Sequence, residues 1–519
     1  MPSSILQSVD STVSFKHYIL LWITGKDTAW LTLALIAALY YYADDFIRWI
    51  KYVAFKCEAL RGDNIHGPIQ DTRITRFSDG LEMTTYCREK YGSIYRVFCG
   101  SIPEIVLTNP EDVRAFYSRD GRAHLKNHNI GFGDYIGKML GHCVGVKYGK
   151  DWSRLRSHID PHFSSSVAID LLPIMNADVS EWLNTLPMAM KSPNERTKFK
   201  VQAGELVSHL PLKMIASAIF GSLLNDKLRA ELIDLFILHE RLMTRAILGK
   251  FYQWTLASYL PTEANRDAQV FQRDWCNLLR RCAREAEERN IKTAVSELYK
   301  TMQEGGMSFV EYCHSVDEIL FNNVDVTTIH ISWILINLAQ HPDVQNRLVQ
   351  EINTALKDDT HGSRSERTNA YLRRTDSLLH YCYLESGRLH PIAFYSLPQV
   401  TAEPKVIGGH PIPAHTSVLI DVYTLGHKSP VWGDDGDAFR PERFASLQPT
   451  QYRYSYWGFG IGPRKCVGQH LGDKIVKSVV HQIVERYTVF VEGDVGICRG
   501  RFMCTPAATL VLEPKEFGL

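Results

Sequence analysis

Residues 459–468 read Phe-Gly-Ile-Gly-Pro-Arg-Lys-Cys-Val-Gly, and the rest of the chain is best read outward from this stretch. Gly460, Gly462 and Pro463 build a turn before Cys466, and an apolar, helix-like segment, Val467 to Val484, follows it. The first free N–H groups of such a helix point at the sulfur, which then sits at the positive end of the helix dipole. Both effects favour thiolate over thiol. Gly462 and Gly468 let the backbone approach a flat ligand closely. Arg464 is placed to pair with an anionic group, and Phe459 to shield the sulfur from water. The chain has 11 cysteines, scattered and without a C-x-x-C pair. A disulfide framework or structural zinc site is therefore not expected. Only Cys466 has neighbours that single it out.

In this segment the chain resembles the haem-thiolate monooxygenases, the cytochromes P-450, whose signature is F-x-x-G-x-R-x-C-x-G. Phe459, Gly462, Arg464, Cys466 and Gly468 all match. Four such neighbours around a given cysteine arise by chance in roughly one case in 10⁵. Glu385 and Arg388 match the family's E-x-x-R pair; at i, i+3 they share one helix face. Phe439 to Phe444 resembles the family's P-E-R-F segment, whose arginine, here Arg443, completes a buried Glu-Arg-Arg network. That network is a structural latch beneath the haem, not a catalytic group. Trp152 and Arg156 match the W-x-x-x-R of the helix that meets the haem propionates. The resemblance covers about residues 80 to 515. It implies a mainly α fold with small β-sheets and heme (iron-protoporphyrin IX) as cofactor, with Cys466 as metal ligand and axial thiolate. Arg464, Phe459, Gly462, Gly468, Trp152 and Arg156 would complete the cofactor site. It also implies O2, a lipophilic small-molecule substrate and an NADPH-dependent flavoprotein reductase docking on the Cys466 side, with Lys465, Lys474 and Lys477 as contacts.

Two departures stand out. The stretch Glu311 to Ala339 has helical periodicity, is apolar on most faces and stops at His341-Pro342. Within it, Asn322-Asn323-Val324-Asp325-Val326-Thr327-Thr328 occupies the place of the family's A-G-x-D/E-T-T. Counting back from His341-Pro342, Asp325 takes the acid position and Val326 falls where the oxygen-binding threonine normally sits. Asn323 replaces the glycine at the helix distortion. Thr327 is one residue on, about 100° around the helix, and a bulge would bring it into reach. Asp325, Thr327 and Cys466 are thus the candidate catalytic residues. Alternatively a water held by Asp325 or Asn323 delivers protons, and Thr327 and Thr328 merely bond helix carbonyls. The second departure is Gln399, after Leu397-Pro398, where many members carry an arginine that reaches a propionate. That bond is lost or supplied elsewhere.

At the N-terminus, Thr28 to Ala43 is an uncharged run of 16, extended beyond two aspartates by Phe46, Ile47, Trp49 and Ile50. A membrane span needs about 20 apolar residues, and Trp30 and Tyr40 to Tyr42 resemble interfacial aromatic belts. A signal peptide fits less well, because a basic n-region and a small-residue cleavage site are missing. Arg48, Lys51, Lys56 and Arg61 outnumber Lys16 and Lys26, so the positive-inside rule leaves the body cytoplasmic. The expected division is a short segment 1–27, a transmembrane anchor 28–50, a linker 51–79 and a catalytic domain 80–519. The expected location is a single-pass protein of the endoplasmic reticulum membrane.

Lys+Arg is 58 against Asp+Glu 57, a net charge of +1, which excludes the basic field expected of a nucleic-acid partner. Further helical periodicity covers Leu206 to Leu224, interrupted by Pro211, then Leu228 to Leu248 and Val270 to Tyr299; strand-like runs lie at 94–98, 105–107 and 417–422. Substrate-facing segments are expected in 124–147, 206–251, 321–328, 392–397 and 502–506, with His128, Asn323 and Tyr395 as polar handles. The reading is a membrane-anchored monooxygenase of secondary-metabolite (mycotoxin-type) biosynthesis, resembling those of epipolythiodioxopiperazine (gliotoxin-type) pathways. Its rivals are a haem-thiolate isomerase, dehydratase or ring-coupling enzyme that inserts no oxygen, and a non-catalytic haem-binding protein.

Overall fold

The computed structural model describes residues 26–59, 65–118, 121–126, 133–189, 198–253, 255–357, 362–499, 501 and 503–515. The segment 1–25, and with it most of the expected N-terminal piece, lies outside them, as do His128 and Phe502. Helices dominate. Those that position the site are α1 (Lys26–Ala59), α2 (Gly149–Ile159), α3 (Asp226–Leu248), α4 (Glu263–Glu288), α5 (Phe309–Leu320), α6 (Asn322–Gln340), α7 (Leu378–Leu389) and α8 (Gln469–Arg486).

Nine strands form three small sheets among the described residues. The first orders β1 (Ile94–Cys99), β2 (Ile102–Leu107), β7 (Ser417–Ile420) and β4 (Gln399–Val400). β2 and β7 run parallel across more than three hundred residues of chain, pairing Ile105 with Val418. The second joins β3 (Phe199–Gln202), β9 (Pro506–Pro514) and β8 (Tyr487–Ile497); the third is the hairpin of β5 (Lys405–Ile407) and β6 (His410–Ile412). The β8–β9 hairpin was not foreseen, although Tyr487, Val489, Leu510 and Leu512 alternate buried with less buried neighbours.

α6 and α8 are buried on nearly every face and share one apolar core with α2, α4 and α7. The expected helix 311–339 forms, interrupted only at Phe321, whose backbone stays helical at φ −79° and ψ −39°. The interruption seats that ring, 1 % exposed, among Trp275, His239, Phe271 and Phe236, with centroids 5.0, 5.2, 5.9 and 6.4 Å away. Aromatic burial of this size outweighs the few backbone bonds that an interruption disturbs. Pro211 interrupts nothing: it lies in the first turn of the helix Leu210–Phe220, where a missing N–H costs no bond. The helix expected over 270–299 ends at Glu288, and a second starts at Ala294 under a Thr293–Ser296 capping box.

Among the described residues, only 309–340 is long and apolar enough to cross a membrane, and 72% of an apolar 18-residue stretch of it is buried in the core. α1 runs past residue 50, where the anchor was expected to give way to a linker. Leu31, Leu35, Leu39, Phe46, Trp49 and Ile50 on it are all exposed. Its C-terminal half docks on the β1–β2 hairpin: Arg48 Nη1 donates to Gly100 O at 3.1 Å and Lys51 Nζ to Ser101 O at 2.9 Å.

Candidate active site

The 460–463 turn forms as expected, with Gly460 and Gly462 at φ +82° and +79°. A Cβ on Gly462 would lie 2.9 Å from the Tyr117 ring, so the turn has no room for a side chain. Cys466 N donates to Phe459 O at 2.8 Å, which folds the phenylalanine back over the cysteine. α8 begins three residues later, and the N–H of Gly468 is directed at the sulfur. Burial pushes the Cys466 thiol up, and the Gly468 N–H offsets only part of this. A desolvated sulfur needs a cation before it will carry charge here.

Cys466 opens into a cavity of about 540 Å³. Phe459, Gly468 and Arg464 line it on the sulfur side, Trp152 and Arg156 come from α2, and Asn322, Asn323, Val326 and Thr327 come from α6. Arg464 lies 4.8 Å over the Trp152 ring, and Arg156 Nη1 donates to Lys465 O at 2.9 Å. Two further wall residues were missed by sequence reasoning: Lys126 and Glu318. Counting one turn back from Asn322 along the same face would have found Glu318. Lys126 was legible only as one member of the segment 124–147.

The charges of this cavity are unbalanced. Burial, and then the neighbouring Arg464, push Lys126 down to about 7, and its Nζ donates to Pro398 O at 3.4 Å. Burial likewise lowers Arg464 to about 10. One guanidinium nitrogen of Arg464, Nη1, is buried with no hydrogen-bond partner among the described residues. The carboxylate facing them, Glu318, is pushed up by burial and accepts from Gly145 N at 3.0 Å. Gln399, at the departure noted above, is engaged instead with His124 (3.1 Å) and Tyr117 (2.9 Å). Two buried cations beside an open cavity and a thiol at its floor fit a flat metal complex bearing carboxylates. The class this defines is that of haem-thiolate proteins.

Glu385, Arg388 and Arg443 come together in one fully buried network. Arg388 grips the carboxylate with Nε and Nη2, both at 2.7 Å, and Arg443 Nε reaches it at 2.9 Å. The remaining guanidinium donors bond backbone carbonyls, among them Gly426 and Gly436 at 2.5 Å and Trp432 at 2.8 Å, and Arg443 Nη1 also reaches Asp435 Oδ1 at 3.4 Å. Each charge is paired and each donor used, which is the condition for tolerating ions at this depth.

On α6 the alternatives for Thr327 separate. Its Oγ1 donates to Asn323 O at 2.7 Å, so the hydroxyl bonds its own helix although the residue lines the cavity. Asn323 donates in turn to the carbonyls of Glu318 (3.1 Å) and Ile319 (2.9 Å), capping the end of α5 at the interruption. Val326 lines the cavity; Asp325 is not among its lining residues. Burial first, then Glu240, raises the Asp325 carboxyl to about 6, with His239 and Arg501 opposing. The folded state thus holds this proton more tightly than the unfolded chain. The stability it contributes is present at acid pH and lost as pH rises from about 4 through about 6. Asp325→Asn should flatten that slope and stabilise the protein at neutral pH, by about 1.4 kcal/mol for each pH unit that the window spans. Chemical unfolding midpoints on either side of the window test it.

Of the lysines expected to meet a reductase, Lys465 is exposed, but Lys474 and Lys477 are buried. Asp473 holds both, at 2.8 and 2.9 Å, so they cannot serve as contacts.

The sequence profile of the cytochrome P450 family matches residues 73–517. The chain is 32% identical over 427 residues to the cytochrome P450 monooxygenase lepD of Aspergillus flavus, spanning 81% of this chain and 82% of that one. It is also 32% identical to the monooxygenase aclC of Aspergillus oryzae over 424 residues, 82% and 84% of the two chains. Against gliC of Aspergillus fumigatus the identity is 31% over 447 residues, 83% and 86%. The chain belongs to the cytochrome P450 family and is a haem-binding monooxygenase. Membership implies O2, a redox partner and a small-molecule substrate.

Proposed function

We propose that this monooxygenase oxidises a lipophilic intermediate of fungal secondary metabolism, with electrons from NADPH through a flavoprotein reductase. The observation that carries the reading is the single cavity in which Cys466 faces the α6 wall of Asn322, Asn323, Val326 and Thr327. Similarity to gliC makes an epipolythiodioxopiperazine-type substrate the first class to test. Arg464, Lys126 and Arg156 would hold the haem carboxylates and Cys466 would ligate the iron, with Trp152 supporting Arg464 from below. The haem supplies dioxygen activation, with the thiolate favouring O–O cleavage. The chain's own part is to exclude water with Phe459 and Ile392, orient the substrate, and move protons. With the Thr327 hydroxyl committed to Asn323 O, the amide of Asn322, on the same α6 wall, is the donor assigned to proton delivery.

This assigns Thr327 a small role. Thr327→Val should lower coupled product formation by less than tenfold, whereas loss of a positioned donor costs about 10²–10⁴. Product formed per NADPH measures it. Dioxygen and NADPH consumption with candidate substrates tests the function itself. Turnover needing neither would favour the isomerase rival, which the apolar Val326 wall keeps in play.

α1 serves as a single-pass anchor in the endoplasmic reticulum membrane, with the catalytic body cytoplasmic. Its exposed Leu31, Leu35, Leu39 and Trp49 support this, and Arg48 and Lys51 fix the body against its end. Deleting residues 1–43 should move the haem-loaded protein from the membrane pellet to the supernatant. A deletion that prevents haem uptake would contradict a pure anchoring role.

A further inference from the structure

A second cavity, of about 660 Å³, lies away from the haem site, and two thiols line it: Cys276 of α4 and Cys313 of α5. Their sulfurs are 3.3 Å apart, the one thiol–thiol contact recorded among the described residues. Cys313 is buried, while Cys276 is partly open. Trp275 Nε1 donates to Cys313 O at 3.0 Å, pinning α4 to α5 at this level. The two thiols share one hydrogen bond. That bond, helped by Arg280 and opposed by burial, lowers Cys276, and Cys313 is pushed up in exchange. One partner is therefore a reachable nucleophile and the other a shielded resolving thiol, the arrangement that makes oxidation site-selective. The 3.3 Å separation compares with about 2.0 Å in a formed disulfide.

We propose that Cys276 and Cys313 form a peroxide-reactive dithiol site that oxidises to an intramolecular disulfide tying α4 to α5. The Cys276 thiolate attacks one oxygen of hydrogen peroxide, the O–O bond breaks, and the departing hydroxide takes a proton to become water. Cys276 is then a sulfenic acid. Cys313 loses its proton and attacks the Cys276 sulfur, forming the S–S bond and releasing a second water. Two thiols are oxidised and one peroxide is reduced. The reaction depends neither on the substrate nor on the residues that hold the haem.

The test uses the full-length, haem-loaded protein treated with limiting hydrogen peroxide, with the carbon monoxide difference band followed so that haem damage is seen separately. Non-reducing peptide mapping should find the Cys276–Cys313 link as the main product, reversed by dithiothreitol. Cys276 should lose its alkylation at least about tenfold faster than Cys498, which is also partly open. Cys276→Ser should abolish the link and leave Cys313 reduced. Cys313→Ser should leave Cys276 as a sulfenic acid trappable by dimedone. Phenylarsine oxide, which bridges two neighbouring sulfurs, should bind the untreated protein and block the link. The proposal is overturned if Cys276 reacts no faster than Cys498, or if Cys276 is oxidised in the parent protein while Cys313 remains a free thiol.

Discussion

Cys466→His is expected to abolish the red-shifted Soret band that reduced, carbon monoxide-treated protein shows under thiolate ligation, and to reduce turnover to background. The sulfur sits at the one place where the 459–468 turn, the Gly468 N–H and the start of α8 converge on the cavity. Burial opposes its ionisation, so its charge depends on a metal rather than on the helix end alone. An imidazole there ligates as a neutral group, and the electronic push of the thiolate is lost. Haem content and the difference spectrum separate loss of ligation from loss of fold. Persistence of the band in Cys466→His, with its loss on replacing a different cysteine, would reverse the assignment.

The second large effect is on stability. Glu385→Ala removes the carboxylate that Arg388 grips and leaves Arg443 with Asp435 alone among the described residues, so two guanidiniums stay buried at 2 and 3 % exposure. Breaking a buried pair by deleting one partner typically costs about 3–5 kcal/mol, because the other charge stays desolvated. With two arginines on one carboxylate the upper end of that range is expected. The variant should accumulate little haem-loaded protein, and what forms should unfold at a markedly lower denaturant midpoint. Glu385→Gln keeps an acceptor but no charge, and should fall between Ala and the parent. A parent-like midpoint for Glu385→Ala would show that the network contributes nothing to holding α7 against the 426–443 segment.

Much of this was legible in the sequence because it depends on spacing along one element. Glu385 and Arg388 meet because three residues place them on one helix face, and Trp152 and Arg156 because four do. The 459–468 turn follows from glycines that accept positive φ and a proline that cannot continue a helix. Where spacing was the whole argument, it also misled. Lys474 and Lys477 flank the site in sequence, yet α8 turns them inward onto Asp473. Periodicity over 311–339 gave the helix but not its interruption, since a helix that is apolar all round looks the same on either side of Phe321. The aromatic pocket that receives Phe321 comes from α3 and α4, more than forty residues earlier.

By itself, then, the sequence determined the family, the cysteine that faces the cavity and the three residues of the buried charge network, since each is encoded in short-range spacing around a motif. Only the tertiary structure decided that Thr327 spends its hydroxyl on Asn323, that Lys126 and Arg464 face the cavity with one weak carboxylate between them, and that Cys276 touches Cys313. Those facts depend on which groups lose water together when distant segments pack, and the free energy of a buried charge or thiol is set by that shared desolvation rather than by its neighbours in the chain.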